Sequence, residues 1–89
     1  MEKSAFTREY RILTAMLREM RKRAGMTQED LAEKVGQTQS YISKWERGEL
    51  RLDLVQVREL CVAMRTTLSA FASEYEARLP DRIARRRTR

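Results

Sequence analysis

Apolar side chains recur near the start of the chain with the spacing of one helical face. Phe6, Tyr10, Leu13, Leu17, Met20 and Ala24 fall at alternating steps of four and three, which predicts an amphipathic first helix reaching back to about Ser4. Gly25 then stands where a helix ends in a left-handed residue. A second, shorter stripe of Leu31, Ala32 and Val35 follows Thr27. Thr27 is placed to cap it, with Glu29 and Asp30 on the positive helix end and Gly36 as its stop. Thr38 caps a third helix running to about Arg47, with Gly48 beyond. On a helical wheel Ile42 and Trp45 point one way, while Ser40, Ser43, Lys44 and Arg47 point the other.

Asp53 and Gln56 have the spacing of a capping box for a fourth helix. Its inward residues are expected to be Leu54, Val57, Leu60, Cys61 and Met64. A fifth starts at Thr67 or Ser69, with Leu68, Phe71, Ala72, Tyr75 and Leu79 on one face and Pro80 at its end. The reading is all-α: five short helices around one core, without internal repeat or linker. The methionines and Trp45 are expected to fill that core, and Cys61 to be buried and inert.

Charge adds a partner. The 89 residues carry a formal net charge of +6 and a pI near 10.1, but unevenly. Residues 1–25 hold seven basic and three acidic groups, residues 81–89 five and one, and the segment between is slightly acidic. Such a balance points to a polyanion, either nucleic acid or an anionic membrane surface. With no histidine, a Ser-His-Asp or His-bearing metal site cannot be built. A lone cysteine suits a reducing compartment. No apolar run has the length of a membrane span, and Met1-Glu2-Lys3-Ser4 lacks the apolar region of a signal peptide. A non-enzymatic, cytoplasmic protein with no cofactor, metal, membrane or small-molecule ligand is expected.

The informative unit is residues 27–48. Thr27-Gln28-Glu29-Asp30-Leu31-Ala32, the turn at Gly36-Gln37, and Ile42-Ser43-Lys44-Trp45-Glu46-Arg47-Gly48 together resemble the phage repressor/Cro-type (XRE) helix-turn-helix family of transcription regulators. The resemblance covers about residues 17–71. It implies a five-helix, repressor-like DNA-binding domain over residues 1–80, followed by an arginine-rich basic tail over 81–89. The third helix would enter the major groove of double-stranded DNA.

Carried over residue by residue, the resemblance gives base contacts to Gln39, Ser40, Tyr41 and Lys44. It gives backbone contacts to Gln28, Ser43, Arg47 and Arg51. Tyr41 has a second reading, at the rim of the core. Gln28 and Gln39 match two family positions that touch, and Arg21 and Glu46 match a pair of facing charges that orients the recognition helix. Gln39 has the right shape for a bidentate pair with adenine.

Two positions depart from the family pattern. Leu52 stands where many members have proline. Arg65-Thr66 replaces a glycine-bearing pair, so Arg65 is expected to adopt a left-handed backbone or the turn to differ. Upstream of the family core, Ser4 to Leu13 adds apolar residues whose natural neighbour is helix five. Leu68, Phe71, Tyr75 and Leu79 are the candidates for a homodimer face. The expected function is a dimeric repressor of a palindromic operator. The alternative is a helical adaptor or antitoxin acting through protein–protein binding, which would need an apolar outward face on helix three.

Overall fold

The computed structural model describes residues 7–79. Phe6 and the arginine-rich tail lie outside them. The described residues form five helices, α1 (Arg8–Arg23), α2 (Gln28–Val35), α3 (Gln39–Glu46), α4 (Leu54–Ala63) and α5 (Leu68–Arg78), and no strand. α2 and α3 pack closely together. α1 lies across α3 and α5, and α4 joins α2 to α5.

Each helix begins at a side-chain cap. Thr7, Thr27, Thr38, Asp53 and Thr67 all have extended backbone, and each accepts a hydrogen bond from the N–H three residues on. Thr27 with Asp30 and Asp53 with Gln56 form complete capping boxes. The Thr27 N–H holds the Asp30 carboxyl below its usual range. Among the described residues the first helix starts at Arg8, where the Thr7 hydroxyl accepts from the Tyr10 N–H at 3.1 Å, and the predicted stretch from Ser4 to Phe6 lies outside them.

The core gathers Met16, Leu17, Leu31, Ile42, Trp45, Leu60 and Cys61, all essentially inaccessible, with Ala32, Leu52, Val57, Met64 and Phe71 around them. Each large aliphatic or aromatic residue so placed stabilises by roughly 1.5–3 kcal/mol. Trp45 is thus a packing residue, although its indole N–H finds no acceptor among the described residues. Burial pushes the Cys61 thiol up to about 11, which keeps it protonated and unreactive at neutral pH.

Three faces differ from the predicted ones. On α1 the buried positions are Tyr10, Thr14, Met16, Leu17 and Arg21, with Leu13 and Met20 only partly covered and Ala24 exposed. The inward face is rotated because it must deliver Arg21 to α3, and because Thr14 satisfies its hydroxyl on the Arg11 carbonyl at 3.2 Å. Leu54 is 68% exposed, since the first residue of α4 points outward from its cap. Ala72 is likewise exposed, and the inward face of α5 runs through Phe71.

One closing motif ends the first four helices. Beyond the last helical turn, the N–H of the left-handed residue and the one after it fold back onto carbonyls of that turn. The pairs are Gly25 to Lys22 with Met26 to Arg21, Gly36 to Glu33 with Gln37 to Ala32, and Gly48 to Trp45 with Glu49 to Lys44. After α4 they are Arg65 to Val62 at 3.0 Å and Thr66 to Cys61 at 2.9 Å. Three of the four left-handed positions are glycines; the fourth is Arg65, at φ 66°. Arg65→Gly should relieve the Cβ clash of about 1–2 kcal/mol and lose part of it to the greater freedom of the unfolded chain. A thermal melt should show Tm rising by roughly 2–8 °C, for a net gain of about 0.5–1 kcal/mol. An unchanged melt would mean that the Arg65 side chain offsets its own strain.

Candidate nucleic-acid interface

α3 lies on the surface because its inner face, Ile42 and Trp45, is anchored while its outer face is polar. Gln39, Ser40, Lys44 and Arg47 are exposed, and Tyr41 and Ser43 are half-buried. Tyr41 packs against the core. Burial first, and then the nearby Glu59 and Asp53 carboxylates, raise its hydroxyl above the ordinary value. Tyr41 thus sits at the rim of the core, half-buried.

The inner end of α3 is fixed from below by one carboxylate. Glu46, with a side chain 3% exposed, accepts from Arg21 Nε at 2.6 Å and from Arg21 Nη2 at 3.1 Å. Arg21 Nη1 donates to the Met26 carbonyl at 2.7 Å, so all three nitrogens of the guanidinium are engaged. The two facing charges of the sequence reading therefore meet in a bidentate, buried pair. Arg18 adds a longer contact to Glu46, at 3.8 Å.

Gln28 and Gln39 also meet, with Gln39 Nε2 donating to Gln28 Oε1 at 2.9 Å. Nothing in the residue pattern points to the next link. Gln28 Nε2 donates to Glu46 Oε1, also at 2.9 Å, so a continuous hydrogen-bonded chain runs from α1 through α3 and α2 to the exposed start of α3. The family resemblance pairs Gln28 with Gln39 and Arg21 with Glu46, but it does not join the two pairs.

The cations beyond α3 are positioned by neighbours rather than left free. Arg47 donates through Nε to Glu49 at 3.1 Å and through Nη2 at 2.9 Å, and also to the Ser43 hydroxyl. The Arg47 guanidinium holds the Glu49 carboxyl below the ordinary range and is itself raised by it. Both side chains are more than half exposed, so the pair adds little stability and a phosphate can compete for it.

Arg51 lies over the Tyr10 ring, 5.0 Å from its centroid. The Tyr10 hydroxyl donates to the Leu50 carbonyl at 2.8 Å and accepts from the Leu52 N–H at 2.9 Å. Tyr10 therefore pins the α3–α4 loop, a role that its place in an apolar stripe conceals. With proline absent from position 52, the Leu52 N–H is free to make this bond.

An α-helix is about 10–12 Å across with its side chains, close to the width of the DNA major groove. A surface helix with glutamine and serine in its first turn and cations at its far end can place donors and acceptors on base edges and charges on phosphates.

Of the dimer-face candidates, Phe71 is buried in the core of the single chain. Leu68, Tyr75 and Leu79 are half-buried. Tyr75 stacks on Phe71 and donates to the Glu9 carbonyl at 2.9 Å, which joins α5 to α1 as their apolar spacing suggests. Leu13, Leu52, Leu54, Val57, Leu68 and Tyr75 line an apolar groove on this side. No helix among the described residues is long and apolar enough to cross a membrane.

Comparison with known proteins agrees with this architecture. The Helix-turn-helix family matches residues 17–71. The chain is similar to an XRE-family-like protein from Pseudomonas syringae pv. tomato str. DC3000, at 39% identity and a TM-score of 0.75, over 81% of this chain and 88% of that one. It shares the fold of the restriction-modification controller protein C.Esp1396I, whose tetramer has been solved with its natural 35 base-pair operator. That match has 24% identity and a TM-score of 0.74, over 80% of this chain and 93% of that one. The clp gene regulator ClgR from C. glutamicum is similar at 26% identity and a TM-score of 0.68, over 78% and 88% of the respective chains. No curated protein matches the sequence.

Proposed function

Because the chain belongs to the XRE-type helix-turn-helix family, we propose that it is a sequence-specific transcriptional regulator that binds double-stranded DNA as a homodimer. Gln39, Ser40, Tyr41 and Lys44 read base edges, and Gln28, Ser43, Arg47 and Arg51 meet the sugar-phosphate backbone. The observation that carries this reading is the exposed polar start of α3, held on a rigid inner face by the Arg21–Glu46 pair. The same polar outer face weighs against a protein-binding adaptor or antitoxin, which would bury apolar groups there. The reading is of a cytoplasmic, non-enzymatic repressor.

Two copies joined along the α5 side would set their α3 helices in successive major grooves, about 34 Å apart. The apolar groove beside Leu68 and Tyr75, flanked by exposed Leu54, supports that side as the dimer face. Selection of binding sites from random duplex DNA should return two inverted half-sites spaced by about one helical turn. In the same selection Gln39→Ala should lose about 1–3 kcal/mol of discrimination at one or two positions per half-site. A selected motif unchanged by Gln39→Ala would refute its role as a base reader, and a single unpaired half-site would refute the symmetric dimer.

A further inference from the structure

We propose that Tyr10 is a positioning residue for DNA binding, which holds Arg51 ready for a phosphate of the duplex without neutralising its charge. This rests on the reading of Arg51 as a backbone contact. Two observations meet at the Tyr10 side chain. Its hydroxyl is bonded to the residue on either side of Arg51, donating to the Leu50 carbonyl at 2.8 Å and accepting from the Leu52 N–H at 2.9 Å. Its ring carries the Arg51 guanidinium, 5.0 Å from the centroid. The backbone and the side chain of one exposed cation thus rest on a single residue that is itself buried. Tyr10 lies on α1 upstream of residues 17–71, so the family pattern assigns it no part in DNA binding.

Arg47 shows the contrast. It is oriented by the Glu49 carboxylate, which a phosphate must displace before it gains the cation. The Tyr10 ring is neutral, and desolvation by burial raises its hydroxyl above the ordinary value. Among the described residues no carboxylate pairs with Arg51, and a ring face accepts none of its conventional hydrogen bonds. The N–H donors of the guanidinium are therefore left for a phosphate. A long cationic side chain gives up rotamer freedom when it binds, and ordering it beforehand reduces that cost. Arg51, seated on a ring and flanked by pinned backbone, gives up part of this freedom on folding. Tyr10 acts on the duplex only through Arg51.

The test is a double-mutant cycle on a selected duplex, with Tyr10→Phe, Arg51→Ala and the two combined, read by fluorescence anisotropy over a range of salt concentrations. Arg51→Ala should lower the salt slope by about 0.9, for one phosphate left without its cation. Tyr10→Phe keeps the ring and removes the hydroxyl. It should weaken binding to all sequences alike by roughly 2- to 10-fold, the worth of one net hydrogen bond. In the Arg51→Ala background it should weaken binding no further. A role confined to stability would give Tyr10→Phe the same effect in both backgrounds, and that result overturns the proposal. If Arg51→Ala leaves the slope unchanged, the backbone reading of Arg51 fails first and this proposal falls with it. Should Tyr10→Phe not fold, the wild type decides by nuclear magnetic resonance. The Arg51 δ-methylene protons should be shifted upfield by the Tyr10 ring and stay so when duplex is added; loss of that shift on binding overturns the proposal.

Discussion

Glu46→Ala should lower the unfolding free energy by about 3–5 kcal/mol, because it leaves the Arg21 guanidinium buried without its carboxylate. A domain of this length has a total stability of roughly 4–13 kcal/mol, so the variant sits near the edge of folding. In Tm the loss corresponds to about 12–40 °C. Urea unfolding followed by far-ultraviolet circular dichroism measures it directly. The loss concentrates at this pair because both side chains are nearly inaccessible, at 8% and 3%, and the guanidinium also holds the Met26 carbonyl between α1 and α2. Replacing both partners, as Arg21→Met with Glu46→Leu, removes the orphaned charge and should recover most of the stability. It does not recover the hydrogen bond that Gln28 Nε2 makes to Glu46, at 2.9 Å. A loss below about 1 kcal/mol for Glu46→Ala would mean that water reaches the pair in solution.

The largest change in binding should come from salt. If about 6–10 phosphates are neutralised per dimer, affinity for a selected site should fall by about 10³–10⁵-fold between 50 and 200 mM salt. Fluorescence anisotropy with labelled duplex gives the slope. Arg47→Ala should reduce that slope by about 0.9 for each phosphate left without its cation, and weaken binding to all sequences about equally. The motif itself contributes little net charge: Lys34, Lys44 and Arg47 stand against Glu29, Asp30, Glu33 and Glu46. The slope must then arise from a few placed cations and not from a uniformly positive surface. A profile nearly independent of salt would exclude a phosphate-dominated interface.

Local chemistry is legible in the sequence and distant contacts are not. Thr27, Thr38 and Asp53 can be read as caps because their partners lie three residues away. The left-handed Arg65 is legible only through the family pattern, which has a glycine-bearing pair where this chain has Arg65-Thr66. The Arg21–Glu46 and Gln28–Gln39 contacts are visible only through family resemblance. Periodicity names a face but not its exact rotation, so a stripe drawn through Ala24 misplaces α1, which turns to bring Arg21 inward. The bonds of Tyr10 to Leu50 and Leu52 span 40 and 42 residues, and no spacing rule reaches so far. The Arg47–Glu49 pair is close in sequence, yet it forms only because the chain reverses at Gly48.

The hydrogen-bonded chain from Arg21 to Gln39 divides the recognition helix into positions with unequal evolutionary freedom. Ser40 and Lys44 are exposed, and substitutions there can change what the helix reads at little cost to folding. Gln39 is tied through two further side chains to the most buried ion pair among the described residues, so under the proposed function a new residue there must suit the base, Gln28 and Glu46 together. Descendants of this protein should acquire new target sequences first through Ser40 and Lys44. Departures at position 39 should come with a compensating change at position 28.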